Sequence, residues 1–209
     1  KGVAVLLLAL LAIAPLSGCG PEKGAETETL RVGLALYTQD DTFISTIVQD
    51  LERIAQEEEL ARDIKINLSV ADGRSNQTTQ LEQVDRLITW GCDVLCVNIV
   101  DRTAAAVLID KAEEAGVPLI FFNRQPVAED MERWDQLYYV GARAEEGGIL
   151  QGQLVLKAWL SDRERLDKNG DGILQYVMLE GEPGHQDALL RTEYSIQVLS
   201  EAGGELEKL

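Results

Sequence analysis

From Leu30 onward the chain repeats a pattern: a short apolar run, a turn, then a longer stretch whose apolar residues recur at helical spacing, with about one such unit every 30 residues. "RVGLALY" (31–37), "IKINLSV" (64–70), "DVLCVNIV" (93–100) and "VPLIFFN" (117–123) read as strands. Between them Phe43, Ile47, Val48 and Leu51, and then Leu81, Val84, Leu87 and Ile88, keep to one helical face. The second helix is expected to start near Asn76 and to stop at Gly91, a residue suited to a left-handed C-cap. Strand–helix alternation of this kind predicts an α/β fold with a parallel sheet. Right-handed crossovers then bring the loops after the strands to one sheet edge, where open parallel sheets bind ligands. The loops concerned are "YTQDDTF", "ADGRSN", "NIVDR" and "FFNRQP".

Beyond 141 the pattern continues as "EEGGILQGQLVLKAWL", a helix, then "DKNGDGILQYVML", a polar loop feeding a strand, then a helix from about Gln186. The expected organisation is a leader over 1–18, a tether over 19–29, an N-terminal α/β lobe over 30–141 and a partial second α/β lobe over 142–209. One or two units cannot close a sheet alone, so this reading expects a truncated second lobe with exposed apolar edges that favour aggregation.

At the front, "VAVLLLALLAIAPL" is too short for a membrane span and is interrupted by Pro15 and Gly18, so it reads as a signal segment. Only Lys1 stands for its charged start, and the chain is expected to begin inside that segment. "LSGC" (16–19) resembles the lipobox of bacterial lipoproteins, which implies lipidation at Cys19 and an extracytoplasmic chain anchored to the cell membrane. "GPEKGAETETL" lacks apolar periodicity and suits a flexible tether. With 19 Lys and Arg against 36 Asp and Glu, the net charge of -17 repels phosphate backbones and excludes a nucleic-acid partner. Cys92 and Cys96, four apart on one expected strand, stand roughly 13 Å apart, too far for a disulfide.

"DKNGDGILQ" (167–175) carries side-chain oxygens at positions one, three and five, glycine at six and an amide at nine, the spacing of an EF-hand calcium loop. Met178 replaces the usual glutamate at position twelve, and the loop enters a strand, so an Asp/Asn/Gly turn is the competing account. "YTQDDTF" sets two carboxylates and an aromatic at a strand end, where Asp40 or Asp41 serves as a helix cap or as a ligand group. Asp187 and Arg191 are spaced for a surface ion pair, and Asn123 for a turn. A surface hydrolase would use His185, the single histidine, as general base with Asp41 or Asp187, but no nucleophile motif such as G-x-S-x-G accompanies it.

Taken in order, "YTQDDTF", "VNIVD", "VPLIFFNRQP", "YYVG", "DKNGDGILQYV" and "GEPGHQDALLRT" resemble the D-galactose/D-glucose-binding proteins of bacterial ABC sugar uptake. These belong to the periplasmic-binding-protein superfamily, type I fold, with two Rossmann-like lobes. The resemblance implies sugar contacts at Asp41, Phe43, Asn123, His185, Asp187 and Arg191. It implies calcium at Asp167, Asn169, Asp171, the carbonyl of Ile173, and Gln175. It also implies no enzymatic activity, glucose or galactose as ligand, an ABC permease as partner and, beside it, a chemoreceptor. A sensor coupled to a membrane kinase is the alternative role for the same binding module.

Overall fold

The computed structural model of the chain describes residues 27–203 and 205–209. The leader, Cys19 and the tether up to residue 26 lie outside them. Five parallel strands, β1 (Thr29–Leu36), β2 (Lys65–Asp72), β3 (Val94–Val97), β4 (Leu119–Phe122) and β5 (Leu137–Val140), form one sheet in the order β2-β1-β3-β4-β5. Order reverses beside β1, so the C-terminal ends of β1 and β3 face a crevice of the kind that hosts ligands in such sheets.

The pleat sorts β1 between two cores. Leu34 and Leu36 pack with Ile44 and Val48 of α1 (Thr42–Arg62), while Ala35 points to the opposite layer. That layer is built by Val84 and Leu87 of α2 (Gln77–Trp90) and by Leu108 and Ile109 of α3 (Ala105–Ala115), against Leu95, Val97, Leu119 and Phe121. Burial on both faces explains why these strands read as continuous apolar runs. Asn76 caps α2 through Thr79 N–H at 2.9 Å, and Gly91 ends it at φ 82°, both as expected.

Several elements depart from the expectation. β3 stops at Val97: Asn98 N–H still reaches Ala35 O of β1 at 2.9 Å, but beyond it Gln80 Oε1 accepts from Val100 N–H and Gln77 Oε1 from Asp101 N–H. Cys92 precedes β3, so the two cysteines do not share a strand, yet both thiols are free. One-turn helices α4 (Ala128–Met131) and α6 (Arg163–Leu166) form in stretches that the apolar pattern left unassigned. α5 (Ala144–Ser161) packs along α7 (Gln186–Glu201), and β6 (Leu174–Tyr176) pairs in parallel with β7 (Leu206–Lys208), a strand the pattern did not announce. Among the described residues no helix is long and apolar enough to cross a membrane.

Candidate functional site

Loops at the strand ends and the start of α7 enclose a cleft of about 710 Å3. Its floor is apolar, with Ile47, Leu51, Cys96, Ile120 and Phe122, and its rim carries Asn123, His185, Asp187 and Arg191. Phe43, 60% exposed, offers an aromatic face at the mouth. Five of the six expected sugar contacts therefore meet in one place, drawn from α1, the end of β4 and α7. The sixth, Asp41, is not part of the lining.

Asp41 caps α1: one carboxylate oxygen accepts from Ile44 N–H at 2.9 Å and the other from Tyr37 O–H at 2.6 Å. The tyrosine hydroxyl and that amide hold its carboxyl below the usual carboxylate range. Burial, then the bond to Asp41, pushes the Tyr37 hydroxyl up to about 12. Both oxygens keep a second lone pair, so capping does not use up the group.

Asn123 ends β4 at φ 61°, a left-handed conformation that asparagine adopts more readily than most residues. Its N–H donates to Val140 O at 3.0 Å and its carbonyl accepts from Tyr139 O–H at 3.1 Å, so the backbone is fixed by β5. Its Oδ1 accepts from Asn98 Nδ2 at 3.1 Å. That bond orients the amide and leaves Nδ2 without a partner among the described residues. Asn98 is itself fully buried and also donates to Phe122 O at 3.1 Å.

His185 is the N-cap of α7, and its Nδ1 accepts from Asp187 N–H at 3.1 Å. The ring proton of the neutral form thus sits on Nε2, where it can be donated. Burial, with the Arg124 charge second, lowers the His185 pKa, against an upward pull from Asp187 and Glu182. A pKa depressed below the unfolded value gives stability that is full above about pH 6.5 and is lost as pH falls through the folded value. The thermal midpoint is therefore expected to drop below about pH 6.5 by more in the native protein than in His185→Asn, which caps without titrating. Parallel pH profiles of the two would refute this assignment. Asp187 Oδ2 takes Arg191 Nη2 at 3.4 Å, and Oδ1 is buried without a partner among the described residues.

The sequence reading missed Arg124 and Glu182. The Arg124 guanidinium lies 3.8 Å over the Tyr37 ring, donates to Val100 O at 3.2 Å and pairs with Glu182 at 2.6 Å. The visible signal was only an arginine after Asn123 in "FFNR" and a glutamate three before His185. For covalent chemistry the cleft has little to offer. Its one thiol, Cys96, is pushed up to about 11 by burial, and no serine or threonine is among the described residues that line it.

The loop 167–175 stands apart from the cleft. Asp167 accepts from Gly170 N–H at 2.8 Å and Gly172 N–H at 2.9 Å, closing a tight turn with both glycines at positive φ. Asn169 Nδ2 lies 2.6 Å from Asp171 Oδ2 and 3.4 Å from Gln175 Oε1, so these expected ligands do converge. Gln175 Nε2 donates at 2.8 Å to Glu207, a carboxylate that β7 brings to the loop. Turning the two amides over would present Oδ1 and Oε1 to the same point, a donor set that suits a hard oxygen-seeking cation.

Residues 32–208 match the family model described as "Periplasmic binding protein domain". The chain is 36% identical over 209 residues to the D-galactose/methyl-galactoside binding periplasmic protein of Haemophilus influenzae, covering 100% of this chain and 60% of that protein. It is 28% identical over 176 residues to a putative rhizopine-binding protein of Rhizobium meliloti, covering 84% of this chain and 51% of the relative. The chain thus spans between half and two thirds of the length of these relatives. Among solved structures, an ABC transporter solute binding protein from Bacillus halodurans with bound myo-inositol superposes with a TM-score of 0.65 at 27% identity, over 89% of this chain and 57% of that one. A Mycobacterium smegmatis protein in complex with β-D-fucofuranose shares the fold, with a TM-score of 0.69 at 24% identity, over 86% of this chain and 54% of that one.

Proposed function

Because the chain belongs to the periplasmic binding protein domain family, we propose that it is the sugar-recognising part of an extracytoplasmic receptor delivering glucose or galactose to an ABC permease. The observation that carries the reading is the meeting of Phe43, Asn123, His185, Asp187 and Arg191 on one cleft, from segments as much as a hundred residues and more apart. Each sugar hydroxyl both donates and accepts, so a rim with free amide hydrogens, a neutral imidazole N–H, a carboxylate and a guanidinium can engage neighbouring hydroxyls in pairs. Phe43 supplies a face for the C–H side of the ring. Asp41 joins this set through its remaining lone pairs. Two lobes, one over 30–141 and one that includes 142–209, would close over the sugar, and the closed form is what a permease would recognise. Cys19 would hold the receptor at the membrane. Calorimetry on the full-length protein with D-galactose, D-glucose and D-ribose tests the reading: saturable heat is expected with a hexose, and none with either hexose overturns it.

The same proposal includes calcium at Asp167, Asn169, Asp171, the Ile173 carbonyl and Gln175, supported by the convergence of the Asn169, Asp171 and Gln175 side chains beside the turn that Asp167 closes with Gly172. A bound ion there would neutralise the carboxylates and stiffen the turn into β6. An ion that binds the folded state alone adds about 2.7 kcal/mol at a hundred times its dissociation constant. That corresponds to a rise of roughly 5 to 10 °C in the thermal midpoint, reversed by a chelator. An unchanged midpoint with and without calcium would count against it.

A further inference from the structure

We infer that the Asn169–Gly170 peptide is a site of spontaneous modification, at which the Asn169 amide is lost through a cyclic imide and replaced by a carboxylate inside the 167–175 loop. The reaction itself needs only water. Its consequence for a bound cation rests on the calcium reading.

Sequence singles out the bond. Attack by a backbone nitrogen on the side-chain carbonyl of the preceding asparagine closes a five-membered ring, and a Cβ on the attacking residue is the main obstruction. Five asparagines occur in the chain, and Asn169 is the one followed by glycine; Asn67, Asn76, Asn98 and Asn123 precede leucine, glutamine, isoleucine and arginine. Structure separates them further. Asn67 lies in β2 beside β1, Asn76 caps α2, Asn98 is fully buried, and the Asn123 backbone is fixed by β5. Asn169 and Gly170 are both exposed.

The Asn169 side chain is also bent toward the reacting atom. Its Oδ1 accepts from Asp171 N–H at 3.3 Å, and its Nδ2 donates to Asp171 Oδ2 at 2.6 Å. Bonded at both ends to residue 171, the carboxamide is folded over the intervening Gly170 peptide, and the bond to Oδ1 draws electrons from its carbon. Gly170 stands at φ 71°, and a Cβ built there would meet nothing within 4 Å, so the peptide has room to turn. One bond opposes the attack: Gly170 N–H donates to Asp167 Oδ1 at 2.8 Å. That bond is exposed, so breaking it exchanges a carboxylate for water, a local opening that costs little at a loop tip.

In the opened turn Gly170 N bonds to Asn169 Cγ, the Cγ–Nδ2 bond breaks, and Nδ2 leaves as ammonia with the proton that Gly170 N gives up. Water then opens the imide at one of its two carbonyls. Cleavage at Cγ gives an aspartate at position 169 in a normal chain. Cleavage at the backbone carbonyl gives isoaspartate, in which the chain runs through the former side chain and gains a methylene. Nothing is oxidised or reduced.

The two products act oppositely on the loop. An aspartate at 169 faces Asp171 with no amide hydrogen between them, so it repels in the absence of a cation and adds ligand charge in its presence. Isoaspartate moves position 169 out of step with Asp167, Asp171 and Gln175, so their oxygens no longer meet at one point. A cation that stiffens the turn disfavours the opening from which attack proceeds, and so protects the amide beside it.

The test incubates the full-length protein at mildly alkaline pH with a chelator or with calcium, then maps its peptides by mass and detects isoaspartate with an isoaspartate-specific methyltransferase. In chelator, the peptide holding Asn169 is expected to gain the mass difference between amide and acid at least about tenfold faster than those holding Asn67, Asn76, Asn98 or Asn123, with isoaspartate at 169. Asn169→Gln should abolish the gain, because its ring would be six-membered and slow to close. A smaller rate difference, or a gain that persists in Asn169→Gln, overturns the site. Saturating calcium should slow the reaction about tenfold, and an unchanged rate in a protein that binds calcium overturns the protection. In calorimetry Asn169→Asp is expected to bind calcium several-fold tighter than the native protein, and the aged isoaspartyl fraction not to bind it; equal affinity of all three overturns the consequence. If the native protein binds no calcium, the calcium reading fails, and the peptide map in chelator still decides the modification.

Discussion

Asn123→Gly is expected to weaken D-galactose binding by roughly a hundredfold while shifting the thermal midpoint by only a few degrees. The separation comes from the two jobs of this residue. Its backbone sits at φ 61°, which glycine adopts freely, and its N–H and carbonyl bonds to β5 do not involve the side chain. The fold therefore keeps its strand end. The amide is a different matter: Nδ2 is held toward the cleft by the bond from Asn98 to Oδ1, and a bound hydroxyl that loses this donor is left buried and unpaired. An unpaired buried group costs about 1 to 3 kcal/mol, and the upper part of that range is the hundredfold. Asn98 retains Phe122 O as an acceptor, which limits the structural damage. Asn123→Ala makes the contrast, since it loses the same amide but also leaves the left-handed region to a residue without the short polar side chain that eases it, at a further cost of about 1 kcal/mol. Calorimetry and thermal melts on both variants check this. If the glycine variant binds galactose within threefold of the native protein, Asn123 is a turn residue and nothing more.

How much of this could be read from residues alone depends on whether the signal is local. The α/β alternation was legible because burial on both faces of a parallel strand leaves an unbroken apolar run in the sequence, as at Leu34 to Leu36 and Leu119 to Phe122. Caps were legible for the same reason, since Asn76 and Gly91 act within one turn of themselves. The cleft residues were legible only as motifs: no periodicity distinguishes His185 from a surface residue. What stayed hidden is what depends on distant partners. Glu182 is 58 residues from Arg124, and Gln186 is 61 from Gln125, so neither pairing leaves a local mark. β7 is a three-residue strand, "LEK", too short to show a period, and is defined by its register with β6. For Asp41 the sequence offered a cap or a ligand group, and the structure shows the capping bonds directly while leaving lone pairs for the other role.

The second large effect concerns a residue outside the cleft lining, and its sign runs against helix propensity. Gly152 lies inside α5, where alanine would ordinarily stabilise by about 1 kcal/mol. Here α5 and α7 approach so closely that a Cβ at 152 would stand 2.7 Å from Ser195 O and 2.8 Å from Val198 Cβ, and one at 148 would stand 2.8 Å from Tyr194 Cβ. The obstacle at Ser195 is backbone, which cannot swing aside as a side-chain tip can. Ser195 is further fixed by its hydroxyl, whose one proton is shared between Arg191 O at 2.6 Å and Gly148 O at 3.1 Å. Gly152→Ala is therefore expected to destabilise in spite of propensity, and Gly152→Val to cost about 3 kcal/mol, the upper end for overpacking. A drop of roughly 6 to 12 °C in the thermal midpoint corresponds to that figure. The displacement has only one direction to go, since α5 and α7 must move apart, and α7 carries His185, Asp187 and Arg191 at its cleft end. Hexose affinity should fall together with stability in Gly152→Val, whereas Asn123→Gly loses affinity alone. A Gly152→Ala variant that melts higher than the native protein would show that the helices have room to spare.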